Sequence, residues 1–80
     1  MNMRDKVAEK AVSRLVDELA ALRKGQKLSH EKLAQKTGLN RSAISLIESK
    51  KRIPTILTCF KIARALEVSL SSLIRKIEAE

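Results

Sequence analysis

The stretch His30–Ser49, HEKLAQKTGLNRSAISLIES, decides how this chain folds. Its first half carries Leu33 and Ala34 on one side of a short helix opened by Ser29, a good N-cap, with Glu31 in the first turn beside the positive end of the helix dipole. Thr37-Gly38 then interrupts the pattern, and Gly38 supplies the left-handed backbone that a tight turn needs. Asn40 caps a second helix, about 41–49, which turns Ile44 and Ile47 inward. Arg41, Ser42, Ser45 and Leu46 are left on another face.

Two short helices joined by about three residues and crossing steeply form a helix-turn-helix. A steep crossing needs a small residue where the helices meet, and Ala34 stands there. With His30 as the first position, Ala34 is fifth, Gly38 ninth, Ile44 fifteenth and Ile47 eighteenth. Any one of these matches is common; the four together make a specific signal.

The flanking sequence reads as helix with short turns, since β-branched alternation is missing and two glycines and one proline supply the only strong breakers. Helix 1 is expected from about Arg4 to Lys24, its apolar stripe formed by Val12, Leu15, Val16, Leu19 and Leu22, and Gly25 ends it. The first turns, around Val7, Ala8 and Ala11, are less apolar, and residues 1–11 read as an N-terminal extension open to fraying or to a partner. Lys50-Lys51-Arg52-Ile53-Pro54 forms a basic loop. Thr55 caps helix 4, about 56–66, with Ile56, Cys59, Phe60, Ile62, Ala63 and Leu66 as its apolar set. Ser69 caps helix 5, about 70–78, built on Leu70, Leu73, Ile74 and Ile77. The expected fold is all-α, one five-helix domain over residues 1–80.

Composition narrows the function. The formal charge is +8, from 17 Lys and Arg against 9 Asp and Glu, and favours polyanionic partners. Residues 29–52 hold +4 of this surplus. Phe60 is the only aromatic residue, which argues against single-strand or RNA binding by base stacking and leaves duplex DNA. A lone cysteine, Cys59, fits core packing in a reducing compartment. No apolar run approaches a membrane span, and MNMRDKVAEK lacks a signal-peptide core, so a cytoplasmic location is expected. His30 has no companion ligands for a metal, and no nucleophile–base pair or glycine-rich phosphate loop is visible. An enzyme is not expected, nor is a cofactor, a metal, a membrane partner or a small-molecule effector.

Over roughly residues 19–77 the chain resembles the Cro/C1, or XRE, family of DNA-binding repressors, from LSHEKLAQKTGLNRSAISLIESKKRIPTILTCFKIARALEVSLSSL. The resemblance implies a lambda-repressor-like domain whose helices 2 and 3 form the helix-turn-helix. Its size and long first helix look most like the controller proteins of restriction–modification systems. By the resemblance, helix 3 lies in the major groove and Arg41, Ser42, Ser45 and Leu46 read base edges. Arginine can bond guanine O6 and N7 together, and leucine can touch a thymine methyl. Phosphates would be held by Ser29, His30 and Asn40 at the helix starts and by Lys50, Lys51 and Arg52 in the basic loop. The position of His30 is commonly glutamine in the family. Arg23 and Glu48 match positions that form a partly buried ion pair. Lys27 and Glu67 depart from the family, standing where glycine is common.

One recognition helix reads about four or five base pairs, so such proteins usually dimerise on two half-sites about 34 Å apart. Leu57, Leu70, Leu73, Ile74 and Ile77 are the candidate homodimer interface on helices 4 and 5. The rival function is a helix-turn-helix module for protein interaction, adaptor- or antitoxin-like, with weak or non-specific DNA binding.

Overall fold

The computed structural model describes residues 5–80; the expected start of helix 1 at Arg4 lies outside them. Five helices and no strand occur among the described residues: α1 (Lys6–Gly25), α2 (His30–Thr37), α3 (Arg41–Glu48), α4 (Ile56–Ala65) and α5 (Leu70–Glu78). Each begins at a side-chain cap. Asp5, Ser29, Asn40, Thr55 and Ser69 all accept a hydrogen bond from the backbone amide three residues on, which satisfies one of the amides a helix start leaves free.

The ends are less usual. Helix α2 stops at Gly38, with φ +77°. Three other helices stop at a residue with a side chain in the same left-handed region: Lys27 after α1 (φ +59°), Lys50 after α3 (φ +68°) and Glu67 after α4 (φ +59°). At each, paired backbone bonds close a Schellman motif, as where Lys27 N–H donates to Lys24 O and Leu28 N–H to Arg23 O. Gly25 therefore does not break α1; it is the last helical residue, and the turn falls two residues later at Lys27. Lys27 and Glu67 keep the backbone that glycine would adopt without strain.

α1 packs on α3 and α5, α2 on α3 and α4, and α4 on α5. The centre of the core is Leu33, Ile44 and Leu66, each about 1% exposed. Around them lie Leu15, Leu19, Cys59, Ile62, Ala63, Leu70 and Ile77. Burial pushes the Cys59 thiol up, so it stays protonated and packs as a small apolar side chain.

Two expectations about apolar residues need correction. Leu70 and Ile77 are buried in the core, and Leu73 and Ile74 pack against it half-buried. At 100° per residue these four fall within about 100° of one helix face, a single core-facing stripe with little left for a partner. Conversely, Ile56 (62% exposed) and Phe60 (51%) do not join the core. They sit about 60° and 100° around α4 from Cys59, at the lip of a cleft that α4 shares with Val68 and Ile74. Leu57, on the far side of α4, is exposed.

Candidate nucleic-acid interface

Helix α3 is held at both ends. At its start, Asn40 Oδ1 accepts from Ala43 N–H at 2.7 Å. Before it, Thr37 Oγ1 donates to Leu33 O at 2.8 Å and accepts from Leu39 N–H at 3.2 Å, which fixes the turn. At its end, Glu48 receives two parallel bonds from the buried Arg23 guanidinium, Nε at 2.7 Å and Nη2 at 2.9 Å. The third arm of Arg23, Nη1, donates to Leu28 O at 2.7 Å. The orientation of α3 is thus tied both to α1 and to the segment that leads into α2.

His30 joins this cluster: its Nε2 lies 2.9 Å from Glu48 Oε1. The residue expected at a phosphate instead turns inward, because a carboxylate already on the neighbouring helix accepts it at hydrogen-bond distance. Burial acts to raise the Glu48 carboxyl, but the bonds from Arg23 and His30 outweigh it and hold it below the usual carboxylate range.

With Ile44 and Ile47 buried, helical geometry sets Arg41, Ser42, Ser45 and Leu46 on the opposite arc of about 140°. Arg41, Ser42 and Ser45 are exposed. Leu46 is half-buried, and its carbonyl accepts the Lys51 and Arg52 amides at 2.9 and 3.2 Å. Ser29 and Asn40 are exposed at the two helix starts. Among the described residues Arg41, Lys51 and Arg52 make no ion pair and present their charge to solvent.

Lys50, also expected at a phosphate, differs from its neighbours in having partners within the chain. Its ammonium lies 2.8 Å from Asp17 Oδ1 and donates to Ser13 Oγ at 2.6 Å and Ser13 O at 3.1 Å. Ser13 and Asp17 face the same way on α1, one turn apart, and no sequence signal singles them out beyond that spacing.

The described surface thus combines a short exposed helix start, a fixed turn and a loop that exposes Lys51 and Arg52. The helix-turn-helix family profile matches residues 19–73. The chain belongs to the Cro/C1-type helix-turn-helix family. Comparison with curated proteins and with solved structures gave no match. Membership makes the chain a DNA-binding regulatory domain, with α2 and α3 as its helix-turn-helix. Residues 5–18 and 74–80 lie outside the matched span. Among the described residues no helix is long and apolar enough to cross a membrane.

Proposed function

We propose that this helix-turn-helix chain is a sequence-specific double-stranded DNA-binding transcription regulator, a cytoplasmic repressor that binds a two-fold operator as a homodimer with α3 in the major groove. The carrying observation is the exposed arc of Arg41, Ser42 and Ser45 beside Lys51 and Arg52, which make no ion pair among the described residues. Arg41 reads a base pair, worth about 1–3 kcal/mol of discrimination. The two serines let the backbone approach closely, and the half-buried Leu46 offers its edge to a thymine methyl. Ser29, Asn40, Lys51 and Arg52 contact phosphates and set the register.

The dimer contact falls to a second copy through Leu57 together with its exposed neighbours Ile53, Ile56 and Phe60. Four large apolar side chains on one short stretch exceed the scattered exposure normal for a monomer. A two-fold contact at this stretch would also give the paired half-sites their symmetry.

Selection from a random duplex pool at several salt concentrations tests the assignment. A two-fold motif should emerge, and its affinity should exceed that for generic duplex at every salt concentration. If no sequence is enriched and affinity follows charge alone, the chain is a protein-interaction module instead.

A further inference from the structure

The part of α1 before Leu19 lies outside the span that the family profile covers, yet it holds the basic loop through Ser13 and Asp17. Lys50 is the second residue past α3, after the cap Ser49, in a left-handed conformation that directs the chain away from the helix axis. Its amide donates to Ile47 O at 3.0 Å, so its backbone is fixed to α3. Its ammonium is fixed to Ser13 and Asp17 of α1. Beside this bridge is a cleft of about 380 Å³ between α1 and the loop, bordered by Val12, Val16, Ile53 and Pro54. Across that cleft the side chains do not close on each other, and Ile53 is 78% exposed. The Lys50 ammonium is the polar tie that spans it.

We propose that Lys50 is a positioning residue: it braces the loop against α1 so that Lys51 and Arg52 meet phosphates in register, and it contacts no phosphate itself. Ser13 and Asp17 are the other half of the brace, which gives the extended first helix a role in DNA binding. The proposal rests on the DNA-binding assignment above, with Lys51 and Arg52 at the phosphates. It differs from direct contact by Lys50 in the sign of one effect. If Lys50 gripped a phosphate, Asp17→Asn would free its ammonium, remove a negative charge near DNA and tighten binding. If Lys50 is a brace, Asp17→Asn weakens binding.

The test uses the full chain with the duplex enriched by selection, or a mixed-sequence duplex of about three helical turns if none is enriched. Lys50→Gln and Asp17→Asn should each weaken binding about threefold to tenfold, the range for losing a charged hydrogen bond from a half-exposed pair. The slope of log affinity against log salt should stay within a few tenths of the parent for both, because no phosphate contact is lost. The reversed pair, Lys50→Glu with Asp17→Lys, should recover most of the affinity. Without DNA, the Lys51 and Arg52 amides should exchange hydrogen faster in both single variants, while the Ile44 and Ile47 amides are unchanged. Tighter binding by Asp17→Asn, or a slope reduced by about one in Lys50→Gln with no change in loop exchange, overturns the brace. Failure of the parent chain to bind any duplex overturns the DNA assignment and the brace's role with it.

Discussion

Replacing Glu48 by Gln tests the cluster that sets the tilt of α3. The substitution keeps size and shape but leaves the Arg23 guanidinium, 9% exposed, without its counter-charge. One of its two bonds, at 2.7 and 2.9 Å, can pass to the amide oxygen; the other then meets the amide NH2, itself a donor. Removing one partner of a fully buried pair costs about 3–5 kcal/mol. The Glu48 side chain retains 16% exposure and borders the half-exposed His30, so water reaches one edge, and a loss of about 2–3 kcal/mol is expected. For a domain of this size the midpoint of thermal unfolding should fall by roughly 10–20 °C. Urea titrations followed by circular dichroism measure the difference.

The pH dependence adds a second check. Glu48 is held below the ordinary carboxylate range in the folded chain, so its stabilisation is complete above the unfolded value near 4.3 and is lost as pH falls through the folded one. The gap between parent and variant should therefore narrow below about pH 4. The apolar pair Arg23→Met with Glu48→Leu should cost less than either single change, since neither charge is stranded. A loss below about 0.5 kcal/mol at pH 7, or a gap constant from pH 7 to pH 3, would refute the claim that this pair is effectively buried.

Lys27→Gly and Glu67→Gly should each raise stability by about 0.5–1 kcal/mol in the same titrations, since left-handed strain at a side chain exceeds the added freedom of the unfolded chain. Gly25→Ala should gain a similar amount, because its φ is not positive and an added Cβ meets nothing within 4 Å, whereas Gly38→Ala should lose about 1 kcal/mol. Arg41→Ala should relax preference at one base pair per half-site with little change in salt slope, while Lys51→Ala should weaken all duplexes alike and lower that slope by about one; binding titrations on single-base variants separate the two. Phe60→Glu should shift the chain toward monomer in sedimentation while its unfolding midpoint, measured at low concentration, stays near the parent's.

The helix starts were legible because capping is local: Ser29, Asn40, Thr55 and Ser69 need only the amide three residues ahead. The helix-turn-helix was legible for a related reason, since Ala34, Gly38, Ile44 and Ile47 all fall within one short span of sequence. Burial on α4 and α5 was not, because a periodic stripe states which face is apolar and not how far a neighbour covers it. Phe60 and Leu70 both lie in such stripes, yet one stands at a cleft lip and the other in the core. The partners of Lys50 and His30 were hidden for a different reason. A basic run beside a recognition helix gives no sign that its first member turns back, since that depends on Asp17, 33 positions earlier. His30 likewise finds Glu48 only because α3 crosses α2 as it does.

Arg14 donates to both Glu80 oxygens, at 2.9 and 2.6 Å, and Lys76 to Glu18 at 2.7 Å, so the middle of α1 clasps α5 and the residues after it. These bonds hold Glu80 and Glu18 below the usual carboxylate range. In kinetic terms the clasp divides the molecule. Helices α2 to α4 are built on short-range contacts and can assemble before the chain is closed, whereas α1 and α5 meet only after the whole intervening segment is in place. Opening should run in reverse, with α5 parting first while α1 stays tied to α3 through Arg23 and Glu48, and hydrogen exchange in the native state should show α5 amides opening at lower free energy than those of α2 and α3. A protease acting on the folded protein would then meet α5 first, and the helix-turn-helix would be the last part to come apart.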